Sequence, residues 1–119
     1  MRQTIRIEGI PPNLNITRNL HHYKSNSEKR MWSDVVALLV KQQAIKPVTK
    51  VKQTFEFYFQ DKRRHDPDNY AACAKWINDG LVNAGILPDD NFTYIESLTI
   101  EQGGFSKQPY VLVHLLDVS

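Results

Sequence analysis

Residues 51–59, with the sequence VKQTFEFYF, decide how this chain folds, because apolar and polar side chains alternate along them. One side of an extended chain would carry Val51, Phe55, Phe57 and Phe59. The opposite side would carry Lys52, Thr54, Glu56 and Tyr58. A period of two is the period of a β-strand. The stretch therefore predicts a strand with one buried face.

The segment that follows predicts a helix with two different faces. Asp66 precedes Pro67, and these residue types favour the N-cap and first position of a helix, which we expect to cover residues 66–85. At about 100° per residue, one side gathers Tyr70, Cys73, Ala74, Ile77, Leu81 and Ala84. The opposite side gathers Asp68, Ala72, Lys75 and Asp79. The helix thus has an apolar face and a polar face.

Further strands are predicted at both ends of the chain. Residues 4–9 alternate in the same way and stop before Pro11 and Pro12. After a turn at residues 89–91, residues 93–100 and 110–116 predict two strands joined through Gly103 and Gly104.

Between the first two strands the sequence predicts a long loop and a helix. Residues 13–27 are polar and are expected to form the loop. Ser25 and Glu28 fit a capping box, which favours a first helix that runs to about Ile45, before Pro47. The element order is β-α-β-α-β-β. We expect one small α+β domain over residues 1–119, with a mixed or mostly antiparallel sheet packed on two helices.

Length and composition exclude several classes of protein. A chain of 119 residues suits one domain and is too short for a barrel enzyme or a doubly wound dinucleotide-binding fold. The single cysteine, Cys73, excludes an internal disulfide and a multi-cysteine zinc site. No apolar stretch is long enough for a membrane span, and the first ten residues do not resemble a signal peptide. We expect a cytoplasmic protein without membrane attachment.

The charges are divided unevenly along the chain. Residues 41–65 carry seven positive and two negative side chains, whereas residues 66–101 carry one positive and seven negative ones. A basic segment followed by an acidic one favours a negatively charged partner and a bound cation.

Four carboxylates frame the second predicted helix. Asp66 and Asp68 stand at its start, and Asp89 and Asp90 follow its C-terminal glycine. Carboxylate oxygens suit a hard divalent cation, Mg²⁺ first and Mn²⁺ as the alternative. Such an ion activates water and stabilises a phosphoryl group during displacement, and Lys75 on the same face can neutralise a phosphate oxygen. Each residue alone also has an ordinary role, as a helix cap, a turn former or a surface ion pair.

These residues resemble a known family. The run RRHDPDN at residues 63–69, Lys75 with Asp79, Gly85 and the run LPDD at residues 87–90 are similar to the RusA family of Holliday junction resolvases. Pro11 and Pro12 after a short first strand also resemble it. The similarity covers nearly the whole chain.

The resemblance implies a small α+β homodimer that cleaves four-way DNA junctions with magnesium. It assigns the catalytic and metal-binding carboxylates to Asp66, Asp68 and Asp90 and the lysine to Lys75. Asp89 stays open as a cap, a metal ligand in the outer shell or a residue without a role. One departure is visible, because Lys75 follows Asp68 about one helical turn later than in the best-known members. That turn keeps the direction of the lysine and moves it along the axis by about 5 Å.

The expected DNA contacts come mainly from basic residues. Ten basic side chains between Lys24 and Arg64, among them Lys29 and Arg30, are candidates for phosphate contacts. Lys62, Arg63 and Arg64 are favoured because they adjoin Asp66, and Asn69 lies beside Asp68. Tyr23 is a candidate for stacking on unpaired bases.

Three functions remain open on the sequence. The first is a Holliday junction resolvase that serves phage DNA packaging, as in a prophage, or recombination and repair. The second is a nuclease on other branched DNA or RNA, which would share the site. The third is a nucleic-acid-binding protein without catalysis, which the seven acidic residues of the 66–101 segment disfavour.

Overall fold

A computed structural model describes residues 1–13, 16 and 22–119, with only the backbone of residues 22–25. Its strands are β1 (Arg2–Glu8), β2 (Val51–Phe59), β3 (Ile95–Phe105) and β4 (Tyr110–Asp117). Its helices are α1 (His22–Gln42) and α2 (Pro67–Asn83). The described residues therefore form a small α+β domain in the predicted order β-α-β-α-β-β, which confirms the fold class. None of their helices is both long and apolar enough to cross a membrane.

The four strands form one mixed sheet in the order β1-β4-β2-β3. β4 pairs antiparallel with β1 and with β2, whereas β3 runs parallel to β2 at the edge. The parallel pair requires a crossover, and α2 provides it between β2 and β3. The start of α2 therefore lies near the end of β2, and the turn before β3 lies near the other end of α2.

The core lies between one face of the sheet and the two helices. The alternation in β2 has its predicted effect, since Val51, Phe55, Phe57 and Phe59 are buried. α1 contributes Val36 and Val40 to the same cluster. α2 buries a wider face than predicted, which adds Trp76, Asn78 and Gly80 to five of the six expected residues, while Ala84 is half-buried.

Two glycines permit close contacts between neighbouring elements. A Cβ atom on Gly80 would lie 2.7 Å from the Cβ atom of Val36, so the absence of a side chain lets α1 and α2 approach. A Cβ atom on Gly103 would lie 2.4 Å from Cζ of Tyr58, whose ring stacks on Tyr110. Gly103 and Gly104 thus belong to β3, and the predicted turn at these residues is wrong. The chain turns between Phe105 and Tyr110 instead.

The first helix also differs from its prediction. α1 begins at His22, so residues 22–27 are helical rather than part of a loop, and the expected capping box lies inside the helix. The helix ends at Gln42, three residues before Ile45. Of the predicted loop, residues 14, 15 and 17–21 lie outside the described residues.

Candidate active site

Lys75 joins α2 to the turn that follows it. Its Nζ atom lies 2.6 Å from Oδ2 of Asp90 and 3.0 Å from Oδ1 of Asp79. Asp79 stands one helical turn after Lys75 on α2, whereas Asp90 belongs to the turn before β3. The structure therefore brings the Asp90 carboxylate onto the polar face of α2.

The same contacts shift the protonation equilibria of both partners. The hydrogen bond from Lys75 is the main reason that the pKa of Asp90 is lower than that of an ordinary carboxyl group, and partial burial opposes the shift. The pKa of Lys75 is raised, first by its hydrogen bond to Asp90 and then by the one to Asp79. Asp90 is thus a carboxylate and Lys75 a cation across the neutral pH range.

Asp66 and Asp68 form a second group at the start of α2. Asp66 occupies the N-cap position in an extended conformation but makes no side-chain cap hydrogen bond, which corrects the predicted role of its carboxylate as a cap. Its Oδ1 atom instead lies 2.9 Å from Nε of Arg64. Oδ1 of Asp68 accepts a hydrogen bond of 3.1 Å from the backbone N–H of Asn69. From Asp68 to Lys75 the helix rises about 10 Å, so the two groups share a face but stand two turns apart.

The carboxylates do not form a preassembled metal centre. Among residues 1–13, 16 and 22–119, with the side chains of 22–25 set aside, no three His, Cys, Asp or Glu side chains lie together as a metal-binding group. The donor chemistry nevertheless suits magnesium, because this ion usually takes one or two protein carboxylates together with substrate phosphates and water. The pairs Asp66 with Asp68 and Asp89 with Asp90 supply such carboxylates from opposite ends of α2.

A cleft of about 490 Å³ lies between α1, α2 and the turn before β3. Asp79, Asp89 and Asp90 line it from the side of α2, and a hydrogen bond of 2.9 Å from Nδ2 of Asn83 to Oγ of Ser33 crosses between the helices. The side of α1 contributes Lys29, Arg30, Ser33, Asp34 and Ala37. Two of the ten basic phosphate candidates therefore stand beside the carboxylates.

Asp34 is a cleft residue that the sequence analysis missed. A signal was available, because residues 30, 33, 34 and 37 recur at the spacing of one helix face. That signal identifies a polar face of α1 but does not say which element lies opposite it.

The basic segment before α2 is held by a small network of polar and aromatic contacts. His65 stacks on Phe59 with a centroid distance of 3.8 Å, and its Nδ1 atom lies 2.7 Å from the hydroxyl of Tyr70. Its Nε2 atom lies 3.1 Å from Oδ1 of Asp61. The sequence analysis assigned Phe59 and Tyr70 to buried faces but predicted no contact for Asp61 or His65. They fix the path of residues 61–66 and thereby the position of Asp66.

The pKa of Asp61 is lowered mainly because its carboxylate accepts a hydrogen bond from the backbone N–H of Arg63, with a further contribution from His65. Asp61 is therefore ionised across the neutral pH range and can accept the hydrogen bonds from Arg63 and His65.

The predicted DNA-binding residues of this segment are exposed. The side chains of Arg63 and Arg64 are 85% and 87% exposed, and Arg63 pairs with Asp61. Nζ of Lys62 lies 5.8 Å from the ring centroid of Phe105. Exposed ion pairs of this kind are weak, so a phosphate group can replace the carboxylate as the partner of these basic side chains.

The two remaining predicted DNA contacts are Asn69 and Tyr23. Asn69 is half-buried next to Asp68. The backbone of Tyr23 belongs to α1, but its side chain is outside the described part of the structure.

Cys73 is buried in the core, which raises the pKa of its thiol to about 12, and Sγ lies 3.0 Å from the carbonyl oxygen of Pro11. It is a core residue rather than a nucleophile.

A scan against protein-family models finds no match to this chain, and a search of curated proteins finds no match either. Function is therefore inferred from the residues and contacts described above.

Proposed function

We propose that the chain is a magnesium-dependent endodeoxyribonuclease of the RusA type, which resolves four-way DNA junctions by paired phosphodiester hydrolysis as a homodimer. The observation that carries this proposal is the contact of Lys75 with Asp90 at 2.6 Å. It places a carboxylate from beyond α2 on the helix face that begins with Asp68. Acidic groups from both ends of the helix then share one surface with a lysine.

The carboxylates would have the following roles. Asp66 and Asp68 would hold Mg²⁺ or Mn²⁺ at the start of α2, and Asp90 would hold it at the other end, in each case together with substrate phosphate and water. Asp89 would be an outer partner, since its Oδ1 atom accepts a hydrogen bond of 2.8 Å from the backbone N–H of Asp90. When bound, the metal lowers the pKa of a coordinated water and offsets charge on the scissile phosphate. Asp90 is already ionised because its pKa is lowered. It therefore needs no proton release before it binds a cation.

Lys75 would act on the phosphate rather than on the metal. Its raised pKa keeps it protonated, so it can donate a hydrogen bond to a non-bridging oxygen or a proton to the leaving oxygen. With Asp90 engaged by a cation, Lys75 retains Asp79 as its second partner at 3.0 Å. Asp79 would thus position the lysine during the reaction.

The surface around the carboxylates would bind the DNA backbone. Lys62, Arg63 and Arg64 would contact phosphates on the side of Asp66, and Lys29 and Arg30 would do so in the cleft beside Asp90. Asn69 and Tyr23 are proposed as further DNA contacts. A homodimer suits this substrate, because a four-way junction has near two-fold symmetry and two opposed strands must be cut.

Cleavage of a synthetic four-way junction and of a linear duplex with the same arm sequences, each with magnesium or with a chelator, tests the proposal. We expect magnesium-dependent cutting of the junction, and a loss of at least about a hundredfold in Asp68→Asn and in Asp90→Asn. Asp117→Asn is the matched control, because this carboxylate lies at the end of β4 and bonds to Ser119.

Equal cutting of both DNAs, or activity that survives the chelator and both substitutions, would refute the proposal. Preferential cutting of a flap, a fork or RNA in the same assay would support the proposed catalytic site but show that its substrate is not the four-way junction. Binding of the junction with a steep salt dependence but without cleavage would indicate a non-catalytic binding protein.

A further inference from the structure

Phe92 is unusually exposed for a large apolar side chain. It is 86% exposed, the highest value among the exposed large hydrophobic residues of the described part of the chain. It stands two residues after Asp90, in the turn that leads to β3. Exposed Leu98 lines a pocket together with this ring, so the ring belongs to an apolar patch, and such a patch indicates a surface that a ligand covers.

An apolar pocket of about 320 Å³ lies beside this ring. Phe92, Ile95 and Leu98 provide its apolar walls, and Leu98 is itself 41% exposed. Its polar lining comes from Asn78, Asp90, Asn91 and Ser97. Asp90 also lines the cleft between the helices, so the pocket borders the candidate active site at this residue.

The lining determines which part of a DNA substrate fits the pocket. Of the side chains that line it, none is basic and one is a carboxylate, so a phosphate group is disfavoured there. A nucleobase instead offers a flat face for an aromatic ring and an edge with hydrogen-bond donors and acceptors for the hydroxyl of Ser97 and the carboxylate of Asp90. The amide of Asn78 is already paired with Gln53. Because bases in a continuous duplex are stacked, only a base at a branch point can reach such a pocket at low cost.

We propose that Phe92 and the pocket of Ile95 and Leu98 bind an unpaired or unstacked nucleobase of branched DNA next to the cleaved phosphate. This inference rests on the proposed function and names the part of the substrate that would distinguish a junction from a duplex. Phe92 would act as a specificity-determining residue, which holds the base and so positions the adjacent phosphate at Asp90.

The test uses four-way junctions with the fluorescent base 2-aminopurine placed in turn at each position around the crossover, and a duplex with the same label. Fluorescence is measured with chelator present, so that binding and stacking are read without cleavage. A 2-aminopurine that leaves the base stack loses the quenching by its neighbours, so we expect the wild-type chain to raise the fluorescence of at least one junction position. Phe92→Ala should abolish this change and weaken junction binding by on the order of tenfold, while Phe92→Trp should still bind the junction as tightly as the wild type.

Duplex binding should be equal in all variants, and Leu38→Ala, which removes another exposed apolar side chain outside the pocket, serves as the control. A junction affinity and a fluorescence change that are the same in Phe92→Ala as in the wild type would overturn the inference, even if the junction is cleaved. A dimer that dissociates in Phe92→Ala, seen by size exclusion, with the fluorescence change intact would overturn it in favour of a subunit interface. A fluorescence change that depends on Phe92 in a chain that cleaves no DNA would support the base site and reject the nuclease.

Discussion

Replacement of Lys75 by methionine removes the charge that holds Asp90 against α2 and keeps most of the apolar stem of the side chain. The side chain of Lys75 is 63% exposed and that of Asp90 is 21% exposed, so solvent screens the pair in part. Exposed ion pairs contribute about 0.2–1 kcal/mol, and the contact with Asp79 places Lys75 toward the upper end of that range. For a domain of this size, about 1 kcal/mol corresponds to roughly 4 °C in Tm. We therefore expect Tm to fall by about 2–4 °C at neutral pH.

The pH dependence of this loss follows from the two pKa shifts. The pKa of Asp90 is lowered in the folded state, so its contribution to stability is present above the ordinary carboxyl value and disappears as the pH falls through the folded value. The pKa of Lys75 is raised, so its contribution is present below the ordinary lysine value and disappears as the pH rises through the folded value. The free energies of unfolding of the variant and the wild type should thus differ most between these two limits of pH and become equal in acid.

A double-mutant cycle with Lys75→Met and Asp90→Asn, measured by urea denaturation at neutral pH and again in acid, checks both statements. The coupling free energy should be measurable at neutral pH and close to zero once Asp90 is protonated. A coupling free energy of zero between Lys75 and Asp90 at neutral pH would refute the claim that Lys75 holds the turn on α2. Since the contact carries the proposed function, that result would also weaken the case for the nuclease.

Three further outcomes are expected. Gly80→Ala should destabilise the fold by about 1 kcal/mol, because the added Cβ would lie 2.7 Å from Cβ of Val36 and the cost of overpacking exceeds the gain in helix propensity. Thermal unfolding measures this loss, and unchanged stability would mean that α1 can move away from α2 at no cost. Arg64→Ala should reduce the slope of the logarithm of junction affinity against the logarithm of salt concentration by about one, whereas an unchanged slope would remove Arg64 from the phosphate contacts. Cys73 should react with a thiol reagent in denaturant but not in the native protein, because it is buried and its pKa is about 12; rapid native labelling would contradict its place in the core.

Most of the fold could be predicted because its signals are local. The alternation in β2 and the amphipathic pattern of α2 lie within single elements, and both elements appear within two residues of their predicted ends. Strand order could not be predicted, since β4 pairs with both β1 and β2 through contacts between residues far apart in sequence.

The errors have the same physical origin. Gly103 and Gly104 have the composition of a turn, yet both lie in β3: Gly104 pairs with Tyr58 of β2, and Gly103 stands at a register shift, where its missing side chain leaves room for the Tyr58 ring. Ser25 and Glu28 satisfy the pattern of a capping box, but residues 22–24 are already helical, so the motif lies inside α1. A cap motif thus permits a helix start without requiring one.

The candidate site was accessible to sequence reasoning only where one helix organises it. The period of α2 places Asp68, Lys75 and Asp79 on one face, and in the structure Asp68 and Lys75 are exposed and Asp79 is half-buried. The cleft with α1, the pocket beside Phe92 and the network around His65 involve segments that are separate in sequence. No local pattern predicts which of their side chains meet.

The charge pattern gives the strongest reason to expect a metal requirement. Residues 66–101 carry seven acidic side chains, and Lys75 is the single basic residue among them. Its one charge is shared between Asp79 and Asp90, so most of the negative charge of this segment has no basic partner within it. A phosphate that approaches Asp90 would be repelled unless a cation intervenes. Lys29 and Arg30 stand in the same cleft and can hold the backbone on either side, but a divalent ion is the simplest group that lets carboxylate and phosphate oxygens meet at one point.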